Sequence, residues 1–141
     1  LAEPGLTACL IADGHHLSPE ALGALLRIKG VERSILVTDA VLAAAAPPGR
    51  YRFAGMDVER NADGVVRQPG EIHLAGSALE LDVAVRNVVR WDLATPDQAI
   101  RMASVNPRMA LAEAASTHGV ALPTGRVRWS EDLHPVEVTL G

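Results

Sequence analysis

The chain has 141 residues, 48% hydrophobic and 21% charged, with 17 acidic against 13 basic side chains and a formal net charge of −4. That is ordinary composition for one globular domain with a real core, and it excludes disorder. Two Trp, one Tyr and one Phe without a cluster of Lys and Arg exclude a nucleic-acid surface, and no apolar run approaches the roughly eighteen residues of a membrane span.

The N-terminus lacks the basic, apolar and small-residue succession of a signal peptide, so a soluble cytoplasmic protein is expected. Opening on Leu1-Ala2-Glu3 in place of Met suggests a processed or truncated piece of something longer. The single Cys9 cannot form an internal disulfide, and within its apolar segment it is expected to be a small buried thiol.

Leu6 to Ala12 is a short apolar run that ends in Asp13-Gly14-His15-His16, and it reads as a strand delivering polar groups at its C-terminal end. Ser18-Pro19-Glu20 has the form of N-cap, first helical position and first-turn acid, with Leu22, Leu25 and Leu26 on one face and Gly30 past the end. Ile35-Leu36-Val37-Thr38-Asp39-Ala40 is a second apolar run, ending in an acid. Strand, helix and strand with short links describe a right-handed βαβ unit, which places residues 13–16 and Asp39 on one edge of a parallel sheet. The C-terminal ends of such strands open onto the crevice where α/β folds keep their chemistry, so Asp39 is a candidate catalytic residue. An aspartate capping the turn after the strand has the same pattern.

Beyond Asp39 the character changes. Ala43 to Ala46 and Pro47-Pro48-Gly49 break the pattern, and 51–53, 56–59 and 65–67 read as short strands of inserted β-hairpins. Ser77-Ala78-Leu79-Glu80 has capping-box spacing, which predicts a helix starting there with Leu81, Val85, Val88 and Val89 buried and Asp82 paired with Arg86. Thr95-Pro96-Asp97-Gln98 starts a second helix and Asn106-Pro107 a third running towards Gly119, so that three successive helices shield the sheet. The tail from Gly125 to Gly141 alternates loosely and reads as strands of a separate small sheet.

No G-x-G-x-x-G or P-loop is present, which argues against a dinucleotide or ATP site in the βαβ unit. Among the five histidines no pair has the i, i+4 spacing of a helical zinc site, and no complete metal site can be read from the chain. His15 and His16 point to opposite sides on an extended backbone. His118 beside Gly119 suits a helix C-terminus, and His134 before Pro135 a loop. Ser77 lacks the surroundings of a G-x-S-x-G nucleophile. Leu74-Ala75-Gly76 before it reads as a Gly-containing turn whose amides could face an anion or a polar substrate.

As a set these motifs resemble one family. Ile11-Ala12-Asp13-Gly14-His15-His16, then residues 35–40, then Leu74-Ala75-Gly76-Ser77, then Ala84-Val85-Arg86-Asn87-Val88-Val89, and finally Ala103-Ser104-Val105-Asn106-Pro107 are similar to the C-terminal half of the N-acetylglucosamine-6-phosphate deacetylases, of the amidohydrolase superfamily. The resemblance implies an α/β fold: the C-terminal portion of a TIM-like (β/α)8 amidohydrolase barrel, with an inserted β-hairpin segment and a terminal strand segment of a small β-sandwich. Residues 1–45 would hold barrel strands seven and eight with their helix, 46–72 the inserted hairpins, 73–119 the flanking helices and 120–141 part of the sandwich.

The resemblance also implies roles. Asp39 matches the catalytic aspartate, a general base and then acid. His16, with Asp13 and Gly14, matches the substrate-contacting Asp-Gly-x-His motif, whose variable position His15 occupies. Leu74, Ala75 and Gly76 match the loop over the sugar. The implied partner is a phosphorylated N-acetyl amino sugar, with no nucleic acid or membrane, in a homo-oligomeric complete enzyme. A divalent metal ion, zinc or iron, is implied as cofactor, and its Glu and His ligands lie on strands absent from this chain, which alone is expected to be inactive. Glu80 and Leu81 depart from the family's usual Thr and Met, which keeps open a sibling amidohydrolase for another N-acyl sugar. A non-catalytic module, binding a partner or ligand through an exposed sheet edge, is the expectation from a different class.

Overall fold

The computed structural model describes residues 3–44 and 46–141; Leu1, Ala2 and Ala45, and the expectations that fall on them, lie outside the described residues. Strand β1 (Ala8–Ile11) leads through helix α1 (Pro19–Lys29) and a single 3-10 turn (Val31–Arg33) to strand β2 (Ser34–Val37). The two strands pair in parallel, Ala8 opposite Ser34 through Ile11 opposite Val37. The helix forms where its signals place it. Ser18 Oγ accepts the amide of Ala21, Pro19 opens the first turn, and Gly30 closes it with its own N–H bonded to the Leu26 carbonyl.

Strands β3 (Gly49–Phe53), β4 (Met56–Arg60), β5 (Val65–Arg67) and β6 (Leu74–Ser77) form an antiparallel sheet in sequence order. Helices α2 (Leu81–Arg90), α3 (Pro96–Ala103) and α4 (Val105–Thr117) follow, and the chain ends in the hairpin of β7 (Gly125–Trp129) and β8 (Pro135–Leu140), a separate two-stranded sheet. The expected Asp82–Arg86 pair is present at 2.8 Å, and Thr95 and Gln98 form a complete capping box.

One core unites the parallel strands with three helices. Leu10, Ala12 and Leu36 pack with Leu22 and Leu26 of α1, Ala84, Val85 and Val88 of α2, and Ala99 and Met102 of α3. Each fully buried side chain of the size of Leu22, Val85 or Met102 contributes about 1.5–3 kcal/mol.

Four expectations are corrected. Leu74 to Gly76 is a strand, not a turn, because its backbone is satisfied by pairing with β5 on one side and the segment after β2 on the other. Ser77 therefore ends a strand and caps no helix, and α2 begins four residues later with Glu80 as N-cap. Of the three successive helices, α4 meets the parallel sheet only through its first turn, where buried Asn106 donates to the Ser34 carbonyl at 2.7 Å; Met109 and Leu111 are exposed, since its alanine-rich sequence lacks a continuous apolar stripe. Cys9 is exposed, since alternate residues of β1 point away from the helices that cover Leu10.

Candidate active site

The parallel register decides which groups share an end of the sheet. Ile11 and Val37 are the last paired residues, and Asp13 and Asp39 each lie two residues beyond them. Asn87 on α2 fixes the first exit by donating from Nδ2 to the Ala12 carbonyl at 2.8 Å.

The chain then turns sharply around Asp13. Gly14 takes a φ of 77°, a conformation suited to glycine, and one carboxylate oxygen of Asp13 accepts the amide N–H groups of His15 and His16 at 2.9 Å each. The other oxygen lies 2.7 Å from His16 Nδ1. A carboxylate accepts here, so Nδ1 carries a proton and Nε2 remains available to a ligand. Burial, the largest single influence, pushes the Asp13 carboxyl up, yet the hydrogen bonds from His16 and His15 and the charge of His16 together hold it below the ordinary carboxylate value. Asp13 is thus an ionised anchor that orients His16.

The neighbouring His15 turns the other way, and its Nε2 donates to the Asp63 carbonyl in the β4–β5 turn at 3.3 Å. Asp13 and His15 line a cleft of about 270 Å³ with Arg60, Asp63, Glu80 and Asn87. His16, Asp39 and residues 74–76 lie outside that lining. Sequence reasoning missed Arg60 and Asp63, whose approach depends on the folding of the hairpins; Asn87 lies within the Ala84–Val89 motif, where the sequence alone gives it no role.

Asp39 forms a second group. Its side chain is exposed and its φ is 51°, in the left-handed region. The Ser77 amide donates to the Asp39 carbonyl at 2.9 Å, and the Val41 amide donates to the Ser77 carbonyl at 3.1 Å. Strand β6 thereby comes alongside the segment after β2, with Ala40 paired in parallel to Ser77. Gly76 makes this approach possible: a Cβ there would lie 2.5 Å from Val41 Cγ1 and 3.1 Å from the Asp39 carbonyl oxygen, at a φ of 89°. Gly76 and Ser77 are therefore brought to Asp39 through the backbone, whereas Leu74 pairs with Arg67 of β5. Among the described residues no group of three or more His, Cys, Asp or Glu side chains could hold a metal ion, and no helix is long and apolar enough to cross a membrane.

No family model matches the chain. It is 48% identical over 98 residues, 70% of its length, to the N-acetylgalactosamine-6-phosphate deacetylase of Escherichia coli O157:H7, and equally to a relative in strain K12. It is 37% identical over 111 residues, 79% of its length, to the N-acetylglucosamine-6-phosphate deacetylase of Vibrio furnissii. A solved structure of the Mycobacterium smegmatis N-acetyl-D-glucosamine-6-phosphate deacetylase, an aspartate-to-alanine variant in complex with N-acetyl-D-glucosamine-6-phosphate, superposes with a TM-score of 0.80 at 28% identity over 94% of this chain. By sequence and by fold the chain corresponds to the C-terminal part of the N-acetylglucosamine-6-phosphate deacetylases. It spans 25% and 57% of the two Escherichia coli relatives and 36% of the Mycobacterium smegmatis chain. The parallel β1–α1–β2 arrangement agrees with a C-terminal portion of that fold.

Proposed function

We propose that the chain is the acid/base-bearing part of an amide hydrolase that removes acetate from N-acetylglucosamine 6-phosphate. The observation that carries this reading is the superposition on a deacetylase holding that sugar, over 94% of the chain. The proposed architecture is the last two strands of a TIM-like barrel, β1 and β2, with β7 and β8 belonging to a small β-sandwich; the parallel pairing of β1 and β2 supports it.

In the proposed chemistry Asp39 takes a proton from the water that attacks the amide carbonyl. It returns that proton to the departing nitrogen as the C–N bond breaks, leaving acetate and the free amine. His16, oriented by Asp13, binds the sugar through Nε2, and Leu74 to Gly76 border the site beside Asp39. Among the described residues no group of His, Cys, Asp and Glu forms a complete ligand set for the proposed divalent cation, zinc or iron, whose ligands are proposed to come from other segments of the complete enzyme. The complete enzyme is proposed as a cytoplasmic homo-oligomer.

A second reading concerns the sugar. Identity to the Escherichia coli N-acetylgalactosamine-6-phosphate deacetylase is 48%, against 37% for the Vibrio furnissii enzyme, which favours the epimer at C4. Acetate release by the full-length protein from both sugar phosphates, compared as kcat/KM, separates the readings. Preference for either epimer supports deacetylation and names the substrate, whereas no release from either contradicts both.

A further inference from the structure

Asp39 occupies a backbone conformation that L-residues other than Asn and Asp rarely adopt, with a φ of 51°. Strained backbone persists where its surroundings over-determine it, and it concentrates at functional sites. The turn's own chemistry does not account for it. The side-chain acceptor in this turn is Thr38 Oγ1, which receives the Ala40 amide at 3.3 Å, and among the described residues no hydrogen bond reaches the Asp39 carboxylate. The contacts that fix this conformation come from outside the turn.

The holding group is Ser77. It is 2% exposed and ties three points of the β2 exit, Thr38, Asp39 and Val41, to β6. Its hydroxyl donates to the Thr38 carbonyl, its amide donates to the Asp39 carbonyl at 2.9 Å, and its carbonyl accepts from the Val41 amide at 3.1 Å. The hydroxyl also accepts the Leu79 amide at 3.1 Å, which fixes the hydroxyl itself. Both peptide groups flanking Asp39 Cα are therefore held, while among the described residues no hydrogen bond takes up its carboxylate. A turn-capping aspartate would show the reverse.

We propose that Ser77 is a positioning residue that locks the Asp39 backbone and so aims its carboxylate at the reacting amide, an inference that rests on the reading of Asp39 as acid/base. Misplacing a catalytic group by about 1 Å costs up to roughly a hundredfold in rate. Ser77 acts through Asp39 alone, so its effect must vanish once the carboxylate is gone.

The test is a double-mutant cycle in the full-length, metal-loaded enzyme with N-acetylglucosamine 6-phosphate or its C4 epimer, whichever is turned over. Ser77→Ala is expected to lower kcat about ten- to a hundredfold with KM changed less than about twofold. Asp39→Asn and the double variant are expected to turn over at the same residual rate. Wild-type kcat in Ser77→Ala, or an equal fall from Ser77→Ala in the Asp39→Asn background, overturns the positioning role. Wild-type kcat in Asp39→Asn overturns the acid/base reading beneath it. Ser77→Cys keeps a weak donor and is expected to fall between serine and alanine; if alanine does not fold, wild-type kcat in cysteine overturns the role.

Discussion

His16 Nδ1 lies 2.7 Å from one carboxylate oxygen of Asp13, whose other oxygen accepts the amides of His15 and His16. The Asp13 side chain is 8% exposed, so three hydrogen bonds converge on a shielded anion. Removing the charge by Asp13→Asn is expected to cost about 1.5–3 kcal/mol of stability at neutral pH, measured by urea unfolding. The sign with pH follows from the carboxyl being held below its ordinary value of 3.8. Its contribution is complete above that value and is lost as pH falls through the lower folded value. Acid unfolding of the wild type should therefore show a loss below about pH 4 that Asp13→Asn lacks.

Gly76→Ala tests the approach of β6 to the β2 exit. The added methyl meets Val41 Cγ1 at 2.5 Å and the Asp39 carbonyl at 3.1 Å, on a backbone at φ 89°. Side-chain movement can relieve the first contact but not the backbone strain. A loss of about 1–3 kcal/mol is expected in denaturant unfolding. Unchanged stability would show that β6 can stand further off.

The β3–β4 hairpin offers a gain. Phe53 pairs with Met56, and the two loop residues Ala54 and Gly55 have φ of 49° and 81°. Both positive values mark a type I′ turn, for which Asn-Gly is favoured over Ala-Gly. Ala54→Asn is expected to raise stability by about 0.5–1 kcal/mol, read as a higher denaturation midpoint at constant slope.

What the sequence made legible was local. The caps of α1 and α3 lie within a few residues of the groups they satisfy, and both helices start where Ser18 and Thr95 direct. Ser77 misled for the same reason: Ser-x-x-Glu satisfies a local template, but the hydroxyl accepts the Leu79 amide outside any helix and donates to the Thr38 carbonyl, 39 residues earlier. The turn at Asp13 was likewise hidden, because an extended backbone would have sent His15 and His16 to opposite sides without showing that the Asp13 carboxylate gathers both amides. Arg60 and Asp63 reach the cleft only after β4 and β5 fold, and no periodicity reports such an approach. Cys9 looked buried because its neighbours are apolar; exposure depends on which face of β1 the helices cover.

The central claim is that Asp39 carries the proton of amide hydrolysis. Asp39→Asn suits the test, because Asn tolerates the same left-handed backbone while it cannot serve as a base. In the full-length, metal-loaded enzyme, single-turnover release of acetate from the preferred N-acetylhexosamine 6-phosphate should fall about a hundredfold or more, with thermal stability retained. Wild-type turnover by Asp39→Asn would contradict the account.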